Sequence, residues 1–353
     1  MKHESQSAFR REPRGPVVNG NLFRRSLAAR TIASLRRSRV ADVCAEMWPN
    51  DRALMQMVTR AASNPAMTTV TGWAAELVHK IVADTLQAMG AASGAADVMQ
   101  QCLTLEWDGA GIISAPAFVA NAANSGFVRE GQPIPVRQLN EAPVQLQPYK
   151  LATIAALTRE MVEGSNAEAL ISDALIQSTG LALDAVFFGS NAATAAQPAG
   201  ILNNVTPLTA STNTDAYGGF AEDVSTLINA VSAVGGKGPF LFIGSPGRIT
   251  TMRMHYASSD PAGDFDVVVS SAVGNNLVVV APRAIVAALS AEPDVEAANA
   301  ATLVMDTAPG AAGTMGPETE MWQTDSLAVK VRWPVSWALR DSRAVAWLTP
   351  LWK

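Results

Sequence analysis

The histidines and cysteines are the residues of this 353-residue chain most often used for catalysis or metal binding. His3, His79 and His255 lie far apart in sequence, and none stands beside a nucleophile motif. Cys44 and Cys102 fit neither a metal-ligand spacing nor a disulfide framework. We therefore expect these five side chains to be structural, and the chain to be no enzyme and to bind no cofactor or metal.

Three short segments come close to known motifs, but each lacks a required residue. Gly244-Ser-Pro-Gly247 is no nucleophile elbow, because Ile243 stands where that turn needs glycine, and its serine is better explained as a helix cap. Lys237 follows two glycines but precedes a Gly-Pro pair, whereas a Walker A lysine precedes Ser or Thr. Asp264 and Asp266 are typical of a solvated turn.

Charge is scarce and unevenly distributed. Charged residues make up 16% of the chain, against about 25% in ordinary domains, which indicates a surface buried against other subunits. Residues 1–40 carry ten basic and two acidic residues (+8), which leaves 16 basic and 29 acidic residues (−13) in the rest. This basic segment either contacts an anionic partner or is a solvated tail. Its candidate contacts for nucleic acid or a scaffold are Arg24, Arg25, Arg30, Arg36, Arg37 and Arg39.

No segment resembles a targeting signal or a membrane span. Residues 1–14 are polar and lack the apolar centre of a signal peptide. The apolar run from Leu277 is interrupted by Pro282 and Arg283. We expect a protein that folds in the cytosol and has no membrane partner.

A proline-punctuated stretch, residues 116–148, predicts an extended hairpin. Val144 and Leu146 alternate with two glutamines, which is strand spacing. Prolines suit edge strands, and an isolated two-stranded hairpin has little stability of its own. The hairpin therefore lies either on a neighbouring subunit or on its own domain.

Helical and strand periodicities fill the rest of the first half. Residues 22–47 have helical spacing, residues 62–71 form a small polar linker, and a helix is predicted over residues 72–89. A strand over residues 149–157 precedes a long helix over residues 166–188. The buried stripe of that helix is predicted to contain Leu170, Ile171, Ala174, Leu175, Leu181, Ala185 and Val186.

The second half alternates helices and strands and predicts a compact α/β domain. A helix over residues 220–234 is followed by strands over residues 240–243, 277–280 and 302–305. Near the C-terminus, aromatic and aliphatic residues alternate with polar ones from Val329 to Arg340. This pattern predicts a long strand, which turns at residues 341–343 and returns as a hairpin over residues 344–348.

Four segments, in this order, resemble the Hong Kong 97-like major capsid proteins of tailed phages. The matching segments are Phe127–Pro135, Tyr149–Met161, Asp184–Gly189 with Gln197–Leu202, and Arg343–Leu348. The resemblance covers about residues 100–350. It implies an α+β protein with the Hong Kong 97-like capsid fold.

The resemblance also divides the chain into the parts of that fold. These are a basic N-terminal arm that is a scaffolding or delta-like segment (residues 1–62), a linker and N-arm helix (63–105), an extended E-loop hairpin (106–150), a peripheral domain with a long spine helix (151–219), an axial domain (220–320) and a C-terminal β-hairpin that returns to the peripheral domain (321–353).

The function that this resemblance implies is structural. Copies of the chain are expected to assemble into hexamers and pentamers of an icosahedral head shell around double-stranded DNA, in the virion and assembled in the host cytoplasm. Expected partners are the chain itself, portal and head-assembly proteins, and packaged DNA bound non-specifically. The expected E-loop contacts with a neighbour are Phe127, Arg129, Glu130, Pro133, Pro135 and Arg137.

Three other interpretations remain open from the sequence. An encapsulin-like cellular nanocompartment would share the fold, but a basic arm would be unusual for it. An α/β hydrolase-type enzyme lacks its triad. A nucleic-acid-binding regulator that uses residues 10–39 lacks a recognisable reading motif and has an acidic body.

Overall fold

A computed structural model describes most of the chain outside its N-terminal segment. The described residues are 21–36, 38–51, 54–55, 86, 89–90, 92–107, 111–117, 127–130, 143–160, 167–235, 238–257, 266–290, 294–305 and 318–352. The predicted linker (62–71) and nearly all of the predicted helix over residues 72–89 lie outside these residues.

The described part of the N-terminal arm forms two helices where the sequence predicted one helical stretch. Helix α1 spans Asn21–Arg36 and helix α2 spans Val40–Met47. Arg39, between them, has extended backbone. The two helices enclose a small apolar cluster of their own, which includes Ala29, Ala33, Val43, Cys44 and Leu54.

The E-loop leaves the body through a short pair of strands. Helix α3 (Gly94–Gln101) leads into strand β1 (Leu103–Glu106). Strands β2 (Ile113–Ala115) and β3 (Val144–Leu146) then pair antiparallel. This confirms the hairpin at its base.

The strand and the long helix predicted after the hairpin are both confirmed. Strand β4 spans Tyr149–Thr158 and helix α4, the spine helix, spans Ala167–Phe187. The predicted stripe is only partly right: Leu175 is buried and Val186 is half-buried, but Leu181 is 59% exposed and Ala185 is exposed as well. The side chains of Leu170, Ile171 and Ala174 lie outside the described part of the chain. The prediction used apolar residues only and so omitted Thr179 and Asp184, two polar residues that are buried in the observed stripe. That stripe contains Leu175, Ile176, Thr179, Leu183, Asp184 and Phe187.

The second half of the chain contains the predicted alternation of helices and strands. The described elements are α5 (Ala216–Gly235), β5 (Leu241–Gly244), α6 (Pro246–Ala257), β6 (Asp266–Val269), β7 (Leu277–Val280), β8 (Ile285–Leu289), β9 (Asp294–Ala298), β10 (Thr302–Val304), β11 (Glu318–Glu320), β12 (Ser326–Leu339) and β13 (Val345–Leu348). Gly238 has a φ of 100°, which glycine adopts without strain.

Two sheets organise these strands. One has the order β1-β8-β12-β4, with β9 also paired to β12, and the spine helix packs on it. The other has the order β13-β7-β5-β6 and carries α5. We call them the peripheral sheet and the axial sheet.

The predicted C-terminal hairpin was wrong in its pairing. Strand β13 pairs with β7 of the axial sheet and not with β12. Strand β12 pairs with β4 through Ser326–Val335 on one side and with β9 and β8 on the other, and its last residues, up to Leu339, pair with β8 and not with β13. The turn between β12 and β13 is hydrogen-bonded to the segment between β7 and β8. Ala281 N–H donates to the Ala344 carbonyl at 2.8 Å, and Arg340 N–H donates to the Ala284 carbonyl at 2.8 Å.

Candidate subunit interfaces

The E-loop hairpin packs at its base and is exposed at its described outer residues. Ala115 and Leu146 bury against Val286 and Ala288 of β8. At the other end, Phe127 is fully exposed, and Val128, Arg129 and Glu130 are exposed too. Pro133, Pro135 and Arg137, the other predicted contacts, lie outside the described residues. No described residue of the same subunit covers the side chains of residues 127–130, which favours a neighbouring subunit as their partner.

A buried carboxylate joins the spine helix to two other parts of the molecule. Asp184 accepts hydrogen bonds from Ser93 Oγ at 2.5 Å, from Gly94 N–H at 3.1 Å and from Ala95 N–H at 2.9 Å. It also accepts from Ser270 Oγ, just after β6 of the axial sheet. The N-terminus of α3 thus meets a negative charge, which stabilises the helix. We call this set of five residues the Asp184 junction.

Asp97 lies on α3 near this junction. Burial, and then the negative charge of Asp184, raise the pKa of Asp97 from 3.8 to about 6. The ionised form of Asp97 is therefore less stable in the folded chain than it is in water.

Gly200 allows a close approach of two backbone segments in the turn after the spine helix. A Cβ on Gly200 would lie 2.0 Å from the carbonyl oxygen of Gly189, so no other residue fits there. Ile201 N–H donates to the Phe187 carbonyl at 2.8 Å, and Leu202 N–H donates to the Gly189 carbonyl at 3.2 Å. The two segments Asp184–Gly189 and Gln197–Leu202 therefore form one structural unit.

The C-terminal residues are fixed to the axial domain, which the sequence did not indicate. Trp352 Nε1–H donates to the buried carboxylate of Asp223 at 2.9 Å. The guanidinium of Arg248 lies 5.1 Å from the centre of the Trp352 ring and donates to the Trp352 carbonyl at 2.8 Å. The chain end therefore packs on α5 and α6, and its last strand lies in the axial sheet.

Several of the arm's arginines already have partners. Arg25 forms an ion pair with Asp51 at 2.7 Å, and Arg36 forms one with Glu46 at 3.0 Å. Arg30 is half-buried and Arg39 is exposed. The side chains of Arg24 and Arg37 lie outside the described part of the chain. Arg25 and Arg36 are thus partly neutralised, and the arm presents less free positive charge than its sequence indicates.

The described residues contain little that suggests catalysis. They include no group of three His, Cys, Asp or Glu side chains that could hold a metal ion. Among the described helices, none is long and apolar enough to cross a membrane. A groove of about 400 Å³ lies at the hairpin base between β3 and β12. Its described lining contains Ser336, Tyr149 and amide side chains, but no imidazole, thiol or carboxylate that could activate a nucleophile.

Sequence comparisons find similarity to phage capsid proteins. Residues 92–250 match the family described as "Phage capsid family". The capsid polyprotein of Pseudomonas phage PAJU2 is 26% identical over 336 residues, which cover 84% of this chain and 48% of that protein. This chain thus spans about half the length of the curated relative it matches.

Solved structures with a similar fold come from several sources. A chain of Mycobacterium phage Bobi is 16% identical with a TM-score of 0.49, and the match covers 83% of this chain and 97% of that one. A virus-like particle from Pyrococcus furiosus is 12% identical with a TM-score of 0.49, and the match covers 77% of this chain and 98% of that one.

Proposed function

We propose that this chain is the subunit from which a tailed phage builds its head shell, because residues 92–250 match the family described as "Phage capsid family". Copies would assemble into hexamers and pentamers and close an icosahedral shell around double-stranded DNA. The observation that carries the proposal is the family match over residues 92–250, the segment that contains the hairpin, the spine helix and the first strand of the axial sheet. No observation favours an encapsulin-like compartment or a hydrolase over this role.

The long helix and the exposed hairpin suit a subunit that contacts other copies of itself. The spine helix has 21 residues, which at 1.5 Å per residue span about 32 Å. The Asp184 junction connects this helix to α3 and to Ser270, which directly follows β6 of the axial sheet. The hairpin extends from one side with exposed residues, where it would reach a neighbour.

Sedimentation tests the proposal. Full-length protein purified after expression alone should sediment far faster than its 37 kDa subunit, as assemblies of megadalton size. A protein that stays monomeric at every concentration and salt tested would contradict the proposal.

Covalent cross-linking through the E-loop is not expected, because no lysine lies between Leu105 and Pro148. An isopeptide bond from this loop needs a lysine amine. Particles boiled in detergent should therefore run as single chains in electrophoresis. A ladder of covalent oligomers under reducing conditions would contradict this prediction.

The N-terminal arm is proposed to make the chain's contacts with DNA or with a scaffold. Full-length protein should bind duplex DNA weakly and lose affinity steeply with salt, because each neutralised phosphate contributes a slope of about −0.9 in log K against log salt. A truncated protein that begins at Trp73 should not bind. Fluorescence anisotropy at several salt concentrations measures both, and equal binding by the two proteins would remove the arm from this role.

The remaining partners are also proposals. Portal and head-assembly proteins would meet the completed capsomers, and assembly would take place in the host cytoplasm. If the arm acts as a scaffolding or delta-like segment, a protease would remove it near residues 62–71, and mass spectrometry of particles would then find chains that begin after the arm.

A further inference from the structure

A long segment without helix or strand carries the chain from the spine helix to α5 of the axial domain. We call this segment, residues 188–215, the connector. It is longer than the roughly 15 residues above which irregular connections are uncommon and often functional. Because such a segment has no ladder of its own to stiffen it, its shape depends on the groups that bind it.

Each end of the connector is bonded to the helix beside it. Near its start, Ile201 N–H donates to the Phe187 carbonyl at the end of the spine helix, at 2.8 Å. Near its other end, Ser211 N–H donates to the carboxylate of Asp223 on α5, at 2.6 Å. These two bonds fix where the connector begins and ends, but neither of them joins one sheet to the other.

Two tryptophans of the C-terminal strands bind the middle of the connector. Trp337 lies on β12 of the peripheral sheet, and its Nε1–H donates to the Ala199 carbonyl at 2.8 Å. Trp347 lies on β13 of the axial sheet, and its Nε1–H donates to the Val205 carbonyl at 2.9 Å. Leu208 N–H also donates to the Trp347 carbonyl at 2.8 Å. The connector is therefore bonded to one sheet through Trp337 and to the other through Trp347.

The apolar core between the two sheets constrains their angle less sharply than these bonds do. Ala287 of the peripheral sheet and Val278 of the axial sheet belong to one buried cluster. Apolar contacts have no direction, and a core loses its unique arrangement before it loses its stability. An N–H···O bond weakens steeply when it bends. The Asp184 junction is a single attachment, about which rotation remains possible, and the two indole bonds remove that freedom.

We propose that Trp337 and Trp347 are positioning residues that set the angle between the peripheral and axial sheets and, through it, the curvature of the shell. Repeated contacts between identical subunits close only when each contact adds the same rotation. A subunit whose two sheets vary in angle would add a variable rotation at each contact, so its shells would vary in size. This inference rests on the proposed shell function, and it identifies residues that make the shell uniform.

Phenylalanine substitutions test the two indoles because they keep an aromatic ring and remove the N–H donor. The connector variant combines Trp337→Phe and Trp347→Phe. The control variant combines Trp333→Phe and Trp352→Phe. The Trp333 Nε1–H donates at 3.1 Å to a carbonyl directly after β8 of its own sheet, and the Trp352 Nε1–H donates to α5 of its own domain. Both variants should have a lower melting temperature, but only the connector variant releases the connector from the sheets.

The distance between the two domains in unassembled subunits measures their angle. Spin labels are attached through Ile154→Cys on β4 and Met254→Cys on α6, which replace side chains that are 53% and 70% exposed. Cys44→Ala and Cys102→Ala remove the native thiols. Pulsed electron paramagnetic resonance should find one narrow distance distribution with the native indoles and in the control variant, and a broader one in the connector variant. Equal widths in all three proteins would overturn the inference.

Particle diameters test the consequence for the shell. In electron micrographs, the wild type and the control variant should form shells of one diameter, and the connector variant should form shells of mixed diameter and incomplete shells. Uniform shells from the connector variant, or mixed shells from the control variant, would overturn the role in curvature. If the connector variant does not fold, Trp337→Phe and Trp347→Phe are measured singly with the same expectations. If the wild type forms no shells, the proposed function fails, while the distance measurement still decides whether the indoles set the angle.

Discussion

Deletion of residues 120–142 should leave a folded subunit that no longer assembles. The core clusters of the described residues contain the hairpin's base, at Ala115 and Leu146, but none of the exposed residues from Phe127 to Glu130. The deletion leaves five residues, 116–119 and 143, between β2 and β3, which is a usual length for a hairpin loop. The subunit thus keeps its fold and loses the element that reaches a neighbour.

Two measurements separate fold from assembly. The melting temperature of the unassembled deletion variant should lie close to that of the wild type, and its sedimentation should show no particles at any concentration. Phe127→Ala makes the same test with a single side chain and should weaken assembly, because a fully exposed aromatic residue is a typical anchor in a partner's pocket. A collapsed melting transition, or normal shells from the deletion variant, would contradict the role given to the hairpin.

Asp184→Asn should cost the subunit a large part of its stability although the two side chains have the same shape. Each carboxylate oxygen accepts one backbone N–H, from Ala95 on Oδ1 and from Gly94 on Oδ2. Either orientation of an amide therefore places its NH₂ group against a backbone donor. A buried donor without a partner, together with the loss of charge-assisted hydrogen bonds, costs about 3 kcal/mol. That is a substantial fraction of the 5–15 kcal/mol of a typical domain.

Urea unfolding of unassembled subunits measures the stability lost in Asp184→Asn, and Asp325→Asn serves as a control. Asp325→Asn removes a charge from an exposed ion pair with Arg159, and such pairs contribute at most about 1 kcal/mol. An effect of Asp184→Asn no larger than that of Asp325→Asn would contradict the junction's role.

Asp97→Asn should stabilise the subunit at neutral pH, whereas Asp184→Asn should destabilise it. The pKa of Asp97 is raised in the folded state to about 6 from 3.8, so between these values the folded chain holds a proton that the unfolded chain has lost. Stability therefore falls as the pH rises through that window. The asparagine variant lacks this dependence and should gain in relative stability from pH 4 to pH 7.

Local pattern was sufficient for most elements of the fold. The strand β4, the spine helix and α5 follow from periodicity, because each buries one face against a sheet or a helix. Strand β7 follows from a continuous apolar run, and all four of its residues are buried. Strand β13 shows the limit of such patterns. Its apolar residues predicted a strand correctly, but its partner depends on which edges are free. The end of β12 is paired with β8, and no local pattern of residues 344–348 contains that information.

The Asp184 junction was beyond sequence reasoning for a different physical reason. Asp184 lies 91 residues after Ser93 and 86 residues before Ser270, and the three meet only in the folded chain. Polar residues inside a helical stripe also shift its apparent phase, which is why Leu181 was predicted as buried. The resemblance to capsid proteins did point to the segment that begins at Asp184, but not to the hydrogen bonds that this side chain accepts.

The central claim is that copies of this chain close into a shell. Negative-stain microscopy of the purified full-length protein tests it most directly, with the deletion of residues 120–142 imaged in parallel. We expect closed shells of uniform diameter with six-fold and five-fold capsomers for the full-length protein, and only dispersed subunits or capsomers for the deletion variant. Full-length protein that shows only small dispersed particles under every assembly condition would contradict the claim.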